Sequence, residues 1–128
     1  MLFTTKLKNL AIVFTVADLD RTERFYREVL EIPLQRLGDP EFQYLSCHLN
    51  EHTELMFFQG EATRGASPQV VFGLEHGGID DVAEALAQRG ATLVTPVTEA
   101  PGGWSVDFRD PDQHGLSLYQ DGGLPRRR

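Results

Sequence analysis

The stretch LAIVFTVADLDRTERFYREVLEIPL, residues 10–34, decides the fold, because it changes periodicity partway through. An apolar run and a polar turn are followed by apolar residues at helical spacing and then by a second apolar run. The order is strand, turn, helix, strand. Asp20 offers a helix N-cap with Glu23 three residues on, and Phe25, Val29 and Leu30 recur on one helical face with Tyr26 at its flank. The same grammar returns in QVVFGLEHGGIDDVAEALAQRGATL, residues 69–93. There Val70 and Phe72 stand for Ile12 and Phe14, Ile79, Val82, Ala83 and Leu86 form the helical stripe, and Gly90 ends it. An extra residue or two in HGG offsets the second copy from the first.

Outward from these copies, each helix precedes further strand signals. LQRL, FQYLSCHL and ELMFF follow the first; ATLV, WSVDF and GLSLY follow the second. Turns are marked by GDP (38–40), PGG (101–103) and DPD (110–112). The spacing predicts βαβββ twice within one α+β domain over 1–128, with mixed sheets and the helices outside. Repeat one covers about 8–59, a linker about 60–67, and repeat two about 68–120. The segment DGGLPRRR (121–128) reads as a frayed tail with solvated arginines.

Composition narrows the function classes. The 128 residues suffice for one core, and 41% are hydrophobic and 24% charged, as in ordinary globular domains. Twelve basic against nineteen acidic residues give a net charge of −7. That argues against nucleic acid or an anionic membrane as partner, and favours cationic ligands where the charge lines a site. The single cysteine, Cys47, has no partner for an internal disulfide and fits a reducing compartment. No apolar run approaches the length of a membrane span or secretory leader, so the expectation is a cytoplasmic protein.

Strand side chains alternate faces. If Ile12, Phe14 and Val16 cover the helices, Ala11, Val13 and Thr15 point away. Leu45, Cys47 and Leu49 form a helix-side row and leave Tyr44, Ser46 and His48 opposite; Leu55 and Phe57 leave Glu54, Met56 and Phe58. In the second copy Val70, Phe72 and Leu74 leave Gln69, Val71 and Gly73, while Phe108, Leu116 and Leu118 leave Ser105, Asp107, Ser117 and Tyr119. This second face mixes aromatics with scattered polar groups, the composition of a small-molecule pocket. A solvated face or a dimer interface is the alternative.

A duplicated βαβββ unit with VADLDRTERFYREVLEIPL near its start and FRDPDQHGLSLY near its end resembles the vicinal oxygen chelate superfamily over about residues 8–120. That group holds glyoxalase I, extradiol dioxygenases, fosfomycin-resistance transferases and bleomycin-resistance proteins. The resemblance implies curved sheets and, in most members, a divalent metal held at four positions. Here those positions fall on Ala11, Glu54, Gln69 and Ser117. Ala11 has no donor atom and Ser117 is a poor ligand for Zn, Ni, Fe or Mn, so the expectation is a protein without a metal cofactor. His114 lies three residues before Ser117 on the opposite parity and reads as a turn residue.

The chain is therefore expected to bind a small organic molecule in a pocket lined by Tyr44, Ser46, His48, Glu54, Met56, Phe58, Gln69, Asp107, Ser117 and Tyr119. Trp104 is either a lid stacking on the ligand or a core residue. The bleomycin-resistance branch sequesters a cationic drug in clefts at a dimer interface, and the resemblance implies a homodimer here. The alternatives are a glyoxalase-like lyase or isomerase with Glu54 as catalytic base, or a degenerate partner domain that binds nothing. A separate metal site from His48, His52 and Glu54, two of which share one hairpin, is conceivable, but no fourth ligand is evident. Cys47, on the helix side, reads as inert core.

Overall fold

The computed structural model describes every residue except Met1, Arg64, Asp110, Asp112 and Gln113. The chain divides into two compact units, Ala11–Pro68 and Met1–Leu10 with Gln69–Arg128. Strand β1 (Leu7–Val16) contributes residues to both.

Within Ala11–Pro68, β1 leads into helix α1 (Leu19–Arg24) and strands β2 (Gln35–Asp39), β3 (Phe42–Asn50) and β4 (Thr53–Gln59). The strand order is β2-β3-β4-β1, and β3 pairs antiparallel with both β2 and β4. In the β3–β4 register Leu45 opposes Phe57 and Cys47 opposes Leu55, so alternation delivers these side chains to one face. There Leu19, Leu34, Leu45, Cys47 and Phe57 are buried, with Phe14, Val16 and Tyr26 packed against them. Phe14 stacks on Phe57 with centroids 5.1 Å apart, and the Tyr26 ring lies 4.6 Å from Phe57 on another side. Cys47 belongs to this core, as its position in the strand requires.

Helix α1 departs from expectation in two ways. Its cap is Asp18, whose carboxylate accepts the Arg21 N–H at 3.1 Å; Asp20 instead meets the Arg36 guanidinium at 2.7 Å. After Arg24 the backbone widens into a π-turn, Phe25–Val29, closed by the Leu30 N–H donating to the Phe25 carbonyl. A wider turn rotates every later side chain relative to a 3.6-residue helix. Tyr26 therefore enters the core, while Phe25, Val29 and Leu30 are 49%, 65% and 47% exposed. The stripe expected from the sequence faces outward. Leu49 is exposed too, because the β3–β4 register shifts between His48 and Asn50.

In the other unit, β5 (Gln69–Leu74) pairs parallel with β9 (Gly115–Asp121), and β9 pairs antiparallel with β8 (Gly103–Arg109). Two short strands, β6 (Thr92–Leu93) and β7 (Thr98–Ala100), pair antiparallel with β8; β7 is an addition to the expected order. Helix α2 (Ile79–Gln88) lays Ile79, Val82 and Ala83 on Leu74, Val106, Phe108 and Leu118. Parallel and antiparallel pairing together make the sheet mixed and the fold α+β, as expected.

The segment expected to fray is docked. Pro125 and Arg126 accept the N–H groups of Gly78 and Asp80 through their carbonyls at 2.7 and 3.0 Å. Arg126 meets Asp80 at 3.1 Å, Arg127 meets Asp81 at 3.2 Å and Glu84 at 2.6 Å, and Arg128 donates to the His76 carbonyl. The start of α2 has no side-chain cap, since Gly78 stands there with φ 77°. Gln120, fully buried, takes that role: its Oε1 accepts the Ile79 N–H and its Nε2 donates to the Leu124 carbonyl, each at 2.9 Å. Gly77, at φ 76°, leaves room for this segment; a Cβ there would sit 2.5 Å from the Pro125 carbonyl oxygen. Among the described residues no helix is long and apolar enough to cross a membrane.

Candidate functional site

Polar side chains on the strands gather into one constellation in each unit. On β3 and β4 the register pairs Tyr44 with Phe58, Ser46 with Met56 and His48 with Glu54, three successive pairs on one face. The Tyr44 and Phe58 rings stack at 5.1 Å and 18°, with Phe42 6.0 Å from Phe58. The Glu54 carboxylate accepts the buried Ser46 hydroxyl at 3.1 Å through Oε2, and the same oxygen lies 3.7 Å from His48 Nε2. Glu54 is 17% exposed at its side chain and His48 67%. A sheltered carboxylate beside an accessible imidazole can hold a cationic group or take a proton.

In the other unit Gln69, Asp107 and Ser117 meet across β5, β8 and β9. Gln69 Nε2 donates to Asp107 Oδ1 at 3.3 Å and to Ser117 Oγ, and Ser117 donates in turn to Asp107 Oδ1 at 2.5 Å. The Ser117 hydroxyl is buried and points its proton at Asp107 while accepting from Gln69, which fixes its orientation. Thr95, which sequence reasoning passes over, joins by accepting the Asp107 N–H at 3.2 Å. Its only sequence signal is a hydroxyl in a loop, too common to single out. Tyr119 donates to the Pro101 carbonyl at 2.9 Å, securing the PGG turn.

Other candidates are placed differently. Trp104 shares the parity of Val106 and Phe108 and packs against their core, with the Arg126 guanidinium 4.2 Å above its ring. Trp104 is partly buried against that core, the packing alternative to a lid. His114 is exposed just before β9, while part of the turn it follows lies outside the described residues. His52 is exposed in the hairpin turn, its ring 3.8 Å from Glu51.

The donor set does not fit the metal implied by the resemblance. Ala11 supplies no donor, and the Ser117 oxygen is engaged by Gln69 and Asp107. Among the described residues no group of three or more His, Cys, Asp or Glu side chains is placed to hold a metal ion.

Residues 9–118 match the family model for the Glyoxalase/Bleomycin resistance protein/Dioxygenase superfamily. A lactoylglutathione lyase of Arabidopsis thaliana is 31% identical over 91% of this chain and 45% of its own length. The chain thus spans about half the length of the curated relatives it matches. Among solved structures, a protein of Legionella pneumophila described as an NAD-dependent benzaldehyde dehydrogenase has TM-score 0.69 at 16% identity, covering 88% of this chain and 98% of its own. A Streptomyces coelicolor methylmalonyl-CoA epimerase variant, in complex with 2-nitronate-propionyl-CoA, has TM-score 0.64 at 15% identity, covering 92% and 95%. At these identities the structural matches establish the fold alone.

Proposed function

The chain belongs to the Glyoxalase/Bleomycin resistance protein/Dioxygenase superfamily, and on that premise we propose that it binds a small organic molecule without a metal cofactor, with Glu54 as the charged group that meets the ligand. The reading rests on one observation: a sheltered carboxylate, oriented by Ser46, on the same sheet face as the stacked Tyr44 and Phe58 rings. Such a face favours a cation with apolar surface, and the net charge of −7 works in the same direction. The metal-free part of the reading is supported by Ala11, which has no donor atom, and by Ser117, whose hydroxyl is engaged by Gln69 and Asp107.

The test is Glu54→Gln. For a binding protein, this exchange weakens a cationic ligand by about 1–3 kcal/mol, the scale of a charge-assisted hydrogen bond. A thermal-shift screen of organic cations against wild type and variant reads it directly. Elemental analysis finding near-stoichiometric Zn, Ni, Fe or Mn would overturn the metal-free reading.

A second reading has its own support in the 3.7 Å approach of His48 to Glu54 and in the lyase relative. In it Glu54 is a general base for proton transfer on a bound substrate. The same variant then keeps ligand affinity and loses turnover, since it preserves shape and removes the proton acceptor. Homodimerisation remains part of the proposal; the exposed Phe25, Val29 and Leu30 offer apolar surface for it. Light scattering that finds a monomer at micromolar concentration would remove that part.

A further inference from the structure

We propose that the β3–β4 face selects an organic cation carrying a flat apolar group ~7 Å from its positive charge, a distance set by strand geometry. This rests on Glu54 being the counter-ion of the ligand, and adds to it a spacing and a second recognition element. Alternate residues on a strand lie ~6.6–6.8 Å apart, so register alone would set Glu54 two steps, ~13 Å, from the Tyr44–Phe58 pair. The side chain shortens that distance. Its Oε2 sits between the Ser46 hydroxyl, 3.1 Å away, and His48 Nε2, 3.7 Å away, so the carboxylate leans part of a step towards the rings. An ammonium held ~3 Å from the carboxylate on its ring side then stands about one such step, ~7 Å, from the shelf.

The shelf continues to the surface through Phe42. Phe42 is half exposed and tilts towards both Tyr44 and Phe58, widening the stacked pair. Met56, paired with Ser46, lies between shelf and carboxylate, and its polarizable thioether suits a methylene spacer. Among the described residues both approaches to Glu54, from Ser46 and from His48, fall on Oε2, which leaves Oε1 to accept from an ammonium. Aromatic faces also attract cations, so both ends of the face discriminate against anions.

The experiment titrates the unmodified chain, by calorimetry or NMR, with four compounds: 3-phenylpropylammonium, benzylammonium, propylammonium and 3-phenylpropan-1-ol. The first is expected to bind about tenfold more tightly than each of the others, the scale of forgoing one charge-assisted or aromatic interaction. Phe58→Leu should lower affinity for 3-phenylpropylammonium several-fold more than for propylammonium, and equal losses for the two would overturn the shelf. Equal affinity for 3-phenylpropylammonium, benzylammonium and propylammonium would overturn the spacing and shelf. If Glu54→Gln still weakened all three ammonium compounds, the broader reading of Glu54 would stand. Binding of the alcohol as tight as that of its ammonium analogue, with no effect of Glu54→Gln, would remove both.

Discussion

Ser46 and Ser117 are buried hydroxyls that each donate to a carboxylate, yet they do different things. Ser46 holds Glu54 through Oε2, the oxygen that also faces His48. Ser117 bridges Gln69 and Asp107, accepting from one and donating to the other. Removing them should therefore have different consequences. Ser117→Ala removes two hydrogen bonds from a partly buried network, leaves only the direct Gln69–Asp107 bond, and should destabilise the fold by about 1–3 kcal/mol. Chemical denaturation with an unchanged slope would check it. Ser46→Ala should affect ligand affinity more than stability, because Glu54 keeps access to water. Both serines can be assigned to a face from alternation alone. Their partners cannot: which carboxylate a hydroxyl reaches depends on diagonal cross-strand geometry that a single strand's pattern does not encode. Trp104 shows the same limit, since its Gly-Gly neighbours suggest a loop while its parity with Val106 and Phe108 sets it against the core.

At the scale of elements, the strands are legible in the sequence and the helix termini are not. A period of two survives small errors in boundary, whereas a helical stripe depends on 3.6 residues per turn holding throughout. The π-turn at Phe25–Val29 breaks that condition, and no residue in FYREV announces it. The start of α2 is equally hidden, because its cap is Gln120, forty-one positions away in sequence. Gln120→Ala removes the acceptor of the Ile79 N–H and the donor to Leu124, and should cost about 1–3 kcal/mol; denaturant midpoints would measure it. The docked arginines add a dependence on pH. The Arg127 guanidinium beside Glu84 holds its carboxyl below the ordinary 4.5, and Glu84 in turn raises Arg127. A depressed carboxylate pKa stabilises the docked arrangement above the ordinary value, and that stabilisation fades as pH falls through the lowered one. The NMR signals of residues 126–128 should accordingly lose their docked shifts below the carboxylate range, and also in high salt, where exposed ion pairs are screened.

For the whole molecule, duplication makes the architecture readable: two copies of one pattern constrain the fold more than either alone. Each unit carries its own buried cluster, one around Phe57 and one around Val106 and Leu118. Phe57, fully buried under Phe14 and Tyr26, should be the costliest position in its unit; Phe57→Ala is expected to lose about 3–5 kcal/mol. Thermal unfolding monitored by far-ultraviolet dichroism would register it. What composition does not convey is how the acidic excess is distributed. Part of it, Asp80, Asp81 and Glu84, is paired with the arginines of residues 126–128 and is not directed at a ligand.

The pairing of Arg126 with Trp104 gives the chain a built-in optical gauge. Trp104 is its sole tryptophan, so all indole emission originates at one ring, and that ring is covered by a guanidinium from the docked segment. Lifting the segment would expose the ring to water and change its emission maximum without unfolding the sheet. Docking and undocking can then be followed in unlabelled protein, separately from global unfolding, by the colour of a single chromophore.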